Sequence, residues 1–212
     1  MKYDIHIHTN YSDGANTPPD VIRRAKKIGL SGIAITDHDT VEGCLNAKKY
    51  NSKNFKIIPG VEITSAQGHI LCLDAALEID SFKPAEEVIE KIHDAGGIAI
   101  AAHPYDMTRG GVGDLIYKLN FDGIEVYNGR LILSRKSIKD IEKIADALGI
   151  TKTGGSDAHS LGEIGNVCID VSEDPVDCIK KGEVKIVFED PIKRKVAYLR
   201  SLFLKSLKIP GI

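Results

Sequence analysis

Short apolar runs and longer amphipathic stretches take turns along this chain. Tyr3 to His8 alternates polar and apolar residues with period two, which predicts a strand. Pro18 to Ile28 shifts to a helical period, with Thr17 placed to cap it, Pro18 and Pro19 in its first turn and Gly29 to end it. Gly32 to Thr36 is a short apolar strand. Val41 to Tyr50 follows as a helix, with Asp39 or Thr40 as its cap. Strands are expected over Lys56 to Thr64 and His69 to Leu73, separated by a turn at Ala66-Gln67-Gly68. The helix Pro84 to Ala95 stops at Gly96-Gly97, and the buried strand Ile98 to Ala102 ends at His103-Pro104. A short helix over Asp114 to Leu119 leads to a strand over Gly123 to Tyr127. Ser134 to Leu148 is a helix with Ile138, Ile141, Ile144, Ala145 and Leu148 on one face. Strands over Lys152 to Gly155, Val167 to Val171 and Lys185 to Phe188 follow, then a C-terminal helix over Ile192 to Leu207.

Strands alternating with helices predict a parallel sheet with helices outside. The number of such units favours a closed or nearly closed α/β barrel, in which chemistry sits at the C-terminal ends of the strands. No stretch has linker composition and no internal repeat is visible, so residues 1–212 are expected to form one domain, a usual size for a barrel.

Composition adds little but excludes some classes. The chain is 42% hydrophobic and 27% charged, ordinary values for a globular protein, and its net charge of −2 argues against a broad nucleic-acid or membrane surface. No apolar run is long enough to span a bilayer, and the N-terminal residues do not have signal-peptide character. Cys44, Cys72, Cys168 and Cys178 form no Cys-x-x-Cys pair, which predicts reduced, buried thiols and a cytoplasmic location.

The histidines change the picture. Six of the seven, His6, His8, His38, His69, His103 and His159, end or open a strand-like run. In His6-Ile7-His8 the two imidazoles share a face of a strand, with Ile5 and Ile7 on the other. Asp13 lies in the following turn, Asn10 to Gly14, and is placed to fold back over the same mouth. Thr36-Asp37-His38-Asp39 puts ionisable groups at the end of an apolar strand. Glu62, between Val61 and Ile63, is costly to bury unless a cation pairs with it, and a carboxylate can bridge two cations. Asp157 and His159 are again two residues apart. Imidazole and carboxylate together suit Zn, Mn or Fe. His93, inside a helix, is expected to have no part in a site.

This ordered set, His6-x-His8, Asp37-His38, Glu62, His103 and Asp157-x-His159, resembles the PHP family, named for polymerase and histidinol phosphatase, and its short stand-alone members in particular. The resemblance implies a distorted (β/α)7 TIM-like barrel holding two or three divalent ions. It implies that His6, His8, Glu62 and Asp157 hold one metal, and that Asp13, His38 and His159 hold another. Glu62 and His103 would belong to a further site, with Glu62 bridging. Three-metal members complete that site with a histidine on the next strand, and Gly123 to Asn128 has none, so His103 could instead contact a substrate phosphate. His69 is counted among the ligands as well.

The activity this implies is hydrolysis of a phosphate ester of a small molecule or nucleotide by a hydroxide held between two cations. Glu62, His103 and Asp37 are expected at the reaction centre, with Arg130 on the phosphate oxygens and Arg109 or Arg135 as alternatives. A nuclease acting on DNA or RNA is the runner-up, disfavoured by the charge balance and the 6% aromatic content. An inert binding module would have no need of the full ligand set. The partner expected is a small phosphorylated substrate, with no membrane and no extended nucleic-acid surface. The sequence does not speak to oligomeric state.

Overall fold

The structure is a computed structural model that describes residues 1–131, 133–188, 196, 198–200 and 203. The described chain is a mixed α/β fold with two five-stranded sheets. The first has the order β10 (Lys185–Phe188), β9 (Val167–Asp170), β1 (Lys2–Asp4), β2 (Gly32–Ala34) and β3 (Lys56–Ile58). The second runs β4 (Gly60–Ser65), β5 (Gly68–Leu73), β6 (Ile98–Ala101), β7 (Gly123–Asn128) and β8 (Thr151–Gly155). Helices α1 (Pro18–Lys27), α2 (Glu42–Ala47), α3 (Ala85–Asp94), α4 (Ile138–Leu148) and α5 (Pro175–Lys181) connect them.

The expected all-parallel sheet is corrected, because both sheets are mixed. β1, β2 and β3 are parallel, but β9 runs against both β1 and β10. β5 is antiparallel to β4 and β6, whereas β6, β7 and β8 are parallel. The cause is local: β4 and β5 are joined by Ala66-Gln67 alone, a connection that permits only a hairpin. The hairpin reverses β5, so His69 near its N-terminal end lies opposite Thr64 near the C-terminal end of β4.

The single strand expected over Lys56 to Thr64 is two strands. Pro59, which has no N–H for a ladder, separates β3 in one sheet from β4 in the other. Two single-residue parallel bridges, Ile7 to Ala158 and His38 to Glu62, link the sheets. Each bridge joins residues beside, or within, the histidine motifs.

Local capping follows the sequence at several ends. Thr17 accepts from the Asp20 N–H at 3.4 Å, and Pro18 opens α1. Ser137 caps α4 in the same way and Gly149 ends it with φ 67°. The expected helix Val41 to Tyr50 is instead α2 followed by a 3-10 turn over Lys48–Tyr50. Asp39 does not cap α2, because its Oδ1 takes the Thr64 N–H at 2.7 Å. The expected helix at Asp114 to Leu119 is a 3-10 helix over Gly113–Tyr117. The C-terminal helix expected over 192–207 falls mostly outside the described residues, of which Val196, 198–200 and Phe203 are helical.

Apolar burial divides into two clusters. The larger joins strand residues such as Ile33, Ile63 and Ile70 to the helix faces of Val21, Ile89, Ile92, Ile141 and Ala145. The smaller gathers Tyr3, Ile5, Ile58, Leu71, Leu73, Ile98, Ile100 and Ile169, with Val176 and Ile179 of α5. Ile5 and Ile7, expected on one face, fall in different clusters. The β1 ladder ends at Asp4, whose carboxylate takes the His6 N–H, so the strict alternation stops there. Among the described residues no helix is long and apolar enough to cross a membrane.

Candidate metal centre

The six strand-end histidines converge around Glu62. This glutamate is 1% exposed and is flanked by Val61 and Ile63 in β4. Its Oε2 lies 3.1 Å from His6 Nε2, 3.0 Å from His8 Nε2 and 3.4 Å from His38 Nδ1. Its Oε1 lies 3.1 Å from His69 Nδ1 and 3.2 Å from His103 Nε2. His159 closes the cluster on the far side, 4.3 Å from His8 between ring centroids and 2.9 Å from Asp13 Oδ1 by its Nε2. Asp157 Oδ1 lies 3.5 Å from both His8 Nε2 and His159 Nδ1 and 3.8 Å from His6 Nε2.

Within this cluster three groups of side chains present donor atoms close enough to surround a cation. They are His8, Asp13, His38 and His159; His6, His8 and Asp157; and His38, Glu62 and His69. The chemistry of the donors fits, being imidazole nitrogen and carboxylate oxygen only. A second observation agrees: both ring nitrogens of His8, with His69 Nδ1 and His103 Nδ1, are buried without an aligned hydrogen bond. Buried polar atoms of this kind are uncommon unless another partner belongs there.

The electrostatics of the protein alone follow from packing acids among imidazoles. Burial would favour a neutral Glu62, but the charge on His6 and the bonds from His103, His6 and His69 hold its carboxyl well below the usual range. Burial opposes ionisation of Asp157 too, and Arg109, His6 and His8 override it. Burial would lower His8, yet Asp157 and Glu62 carry it up to about 9. His6 and His69 are raised against burial by the same kind of neighbour. His159 goes the other way: burial and the charge of His8 push it down to about 4, leaving it neutral as a metal ligand must be.

One expected site residue has other work. Asp37 is buried, but its Oδ1 takes the Thr9 N–H at 2.6 Å and the Ser12 hydroxyl at 2.8 Å, and its Oδ2 takes the Thr9 hydroxyl at 2.7 Å. This corrects the expectation that Asp37 stands at the reaction centre: its two oxygens pin the loop that carries Asp13. Arg130 lies beside the cluster, with Nε 3.3 Å from Glu163 Oε1 and Cζ 4.8 Å from the Tyr198 ring centroid. Glu163 in turn accepts the His159 N–H at 3.1 Å. The guanidinium that bonds a cluster carboxylate belongs to Arg109, not Arg130. His93 pairs with Asp122 at 2.9 Å on α3, away from the cluster.

Three buried groups behind the ligands were not anticipated. Glu125 on β7 accepts from His6 Nδ1 at 2.9 Å through Oε1, and from the His103 N–H at 2.9 Å and Asn128 Nδ2 at 2.8 Å through Oε2. Its signal was present, because an acid between Ile124 and Val126 repeats the pattern that marked Glu62. Asp4 accepts the Ser156 and Gly165 N–H groups at 3.0 and 2.8 Å, and burial pushes its carboxyl up to about 6. Asn128 reaches Asp157 Oδ2 at 3.1 Å. His103 and Asp157 have φ of 28° and 53°, backbone values that cost non-glycine residues on the order of 1–3 kcal/mol and that concentrate at functional sites.

The PHP domain model matches residues 4–148, and the PHP-associated model matches residues 139–184. With the first covering more than half of the chain and the histidine cluster lying across both, the chain belongs to the PHP-domain family. The uncharacterized protein MJ1587 of Methanocaldococcus jannaschii is 39% identical over 140 residues, which are 60% of this chain and 82% of that protein. The 5′-3′ exoribonuclease Rnm of Salmonella typhimurium is 38% identical over 87 residues, 39% of this chain and 29% of the exoribonuclease. The 3′,5′-nucleoside bisphosphate phosphatase of Chromobacterium violaceum is 35% identical over 83 residues, again 39% of this chain and 29% of the enzyme. A two-domain protein from Bacteroides vulgatus, described as containing a predicted PHP-like metal-dependent phosphoesterase, superposes with a TM-score of 0.72 at 17% identity over 95% of this chain and 69% of its own.

Proposed function

We propose that this protein is a metal-dependent phosphoesterase that hydrolyses a phosphate ester of a small molecule or nucleotide. The observation that carries the reading is Glu62: one buried carboxylate lies within 3.4 Å of nitrogens from His6, His8, His38, His69 and His103. In this reading His6, His8 and Asp157 hold one Zn, Mn or Fe ion, with Glu62 adjoining. Asp13, His38 and His159 hold a second. Glu62, His69 and His103 supply a third position, with Glu125 orienting His6 rather than acting as a ligand.

Bound divalent cations would supply Lewis-acid polarisation of the phosphoryl group and acidify water. The protein's own part is to fix the geometry. Glu62 sets the spacing between the sites with its two oxygens, and Asp157 stays ionised to hold charge beside them. Glu125 and Asp4 hold the strand end that presents His6. Arg130, paired with Glu163, would bind a non-reacting phosphate oxygen in this reading. In this reading the whole fold is a single domain, and the two sheets, linked by the bridges Ile7 to Ala158 and His38 to Glu62, would make up a distorted (β/α)7 barrel with the cluster at its mouth. Four buried cysteines suit a cytoplasmic location in this reading.

The test is a panel of phosphomonoesters and phosphodiesters assayed with Mn, Zn or Fe. Turnover of a monoester or a small cyclic diester that disappears on chelation supports the reading. Similarity to Rnm favours a second reading, a 5′-3′ exoribonuclease, so a 5′-phosphorylated oligoribonucleotide belongs in the same panel. Faster turnover of that oligomer than of any mononucleotide would favour the nuclease. No hydrolysis of any phosphoester with any of these metals would sink both.

A further inference from the structure

Arg109 lies on the loop after β6, six residues beyond His103, and each of its three guanidinium nitrogens is hydrogen-bonded. Nε and Nη2 both donate to Asp106 Oδ2, at 2.9 and 2.6 Å, and Nη2 also reaches Asn128 Oδ1 at 3.2 Å. Nη1 donates to Asp157 Oδ2. Asp106 is itself fixed, its Oδ1 taking the Thr108 N–H and hydroxyl, both at 2.7 Å. The Asp157 carboxylate is thus divided. Oδ2 receives Arg109 and Asn128, and Oδ1 alone faces His6, His8 and His159. Asn128 continues the network to Glu125 and, through it, to His6.

We propose that Arg109 is a positioning residue for the metal centre: it ties one oxygen of Asp157 from behind and leaves the other as a single donor toward the site shared with His6 and His8. A free carboxylate can chelate a cation with both oxygens or rotate away. A planar guanidinium anchored on Asp106 through Nε and Nη2 holds its Nη1 in a fixed direction on one Asp157 oxygen and disfavours both options, which an ammonium cannot do with the same directionality. Hydrogen-bonded partners behind metal ligands commonly set affinity by 10–100-fold. The inference rests on the reading of this cluster as a metal centre, and it departs from the expected alternative role of Arg109 as a phosphate binder.

The experiment titrates the metal-free full-length protein with Co²⁺, following visible absorption and the dissociation constant of each equivalent by competition with a chelator. Arg109→Ala should weaken one equivalent by about 10–100-fold. It should also dim that equivalent's absorption band, since a second carboxylate oxygen raises the coordination number. The equivalent assigned to Asp13, His38 and His159 should keep its affinity and spectrum. Arg109→Lys, which keeps charge but loses the fork, should resemble Arg109→Ala. Asp106→Asn touches no candidate ligand and should shift the same band in the same direction, which guards against a misfolded Arg109 variant. Unchanged affinity and spectrum in Arg109→Ala would overturn the proposal while leaving the metal centre standing. Restoration of both by lysine would reduce the role to charge, and tighter binding in Arg109→Ala would make Arg109 a competitor; each overturns it. Wild-type protein that takes up less than one equivalent of Co²⁺ would overturn the metal-centre reading and this inference with it.

Discussion

At the scale of single residues the molecule turns on where buried carboxylate oxygens point. Glu62 spends both of its oxygens on five imidazoles, Asp157 one on the cluster and one on Arg109, and Asp37 neither on the cluster. Glu62→Gln keeps the shape but removes the charge and turns one oxygen into a donor. Turnover should fall by on the order of 10²-fold or more, because the spacing and charge that position the reacting groups are lost. His93→Ala is the matched control. It removes one half-exposed bond to Asp122, costing about 0.5–1.5 kcal/mol of stability, and should leave turnover and metal content unchanged. Steady-state kinetics on both folded variants decides the matter: an equal fall in the two would remove Glu62 from the reaction.

At the scale of elements the cluster depends on β8 approaching the end of β1 without a side chain between them. A Cβ on Gly155 would stand 2.4 Å from His6 Cβ and 2.9 Å from Glu125 Oε1, so Gly155→Ala must displace the ligand strand. It should cost about 1–3 kcal/mol as an overpacked site and weaken metal binding by on the order of tenfold or more. Gly162→Ala, which meets nothing within 4 Å, should do neither. Chelator competition and thermal melts on the two variants measure this, and equal behaviour would refute it. Such element-level contacts explain what the sequence could and could not reveal. Thr17, Pro18 and Gly149 act through neighbours a few residues away, so α1 and the end of α4 were readable. The histidine motifs were readable because ionisable residues at the ends of apolar runs are conspicuous in a string. The reversed β5 and the break at Pro59 depend on which strand pairs with which, and that is written in tertiary contacts. α5 lies outside the expected elements although Asp174, Pro175 and Gly182 are ordinary start and stop residues. The roles of Asp37, Arg109 and Glu125 required distances across as many as 119 residues of sequence separation.

At the scale of the whole molecule, metal, protons and folding compete for the same atoms. His6, His8 and His69 have pKa values above the ordinary 6.5 in the folded metal-free protein, His8 at about 9. A base raised on folding contributes stability that is complete below the unfolded value and is lost as pH rises through the folded one. The metal-free protein should therefore lose stability between about pH 6.5 and 9. His8 alone accounts for a few kcal/mol, one unit being about 1.4 kcal/mol. Over this range Glu62 and Asp157, whose values are depressed, stay ionised and do not contribute to the change. A cation needs the imidazoles neutral, so it takes the place of the protons between the same carboxylates. Loading at pH 7 should release protons from His6, His8 and His69, and metal affinity should rise with pH over this window. The loaded protein should then lose much less stability on alkalinisation, in addition to the general gain of about 2.7 kcal/mol at a hundredfold excess over the dissociation constant. Differential scanning calorimetry of the stripped and Mn-loaded protein at pH 6.5 and 9 tests the coupling, and titration calorimetry in buffers of different ionisation enthalpy counts the protons. Parallel declines in the two forms, or metal uptake without proton release, would show that the buried carboxylates are not shared between proton and metal.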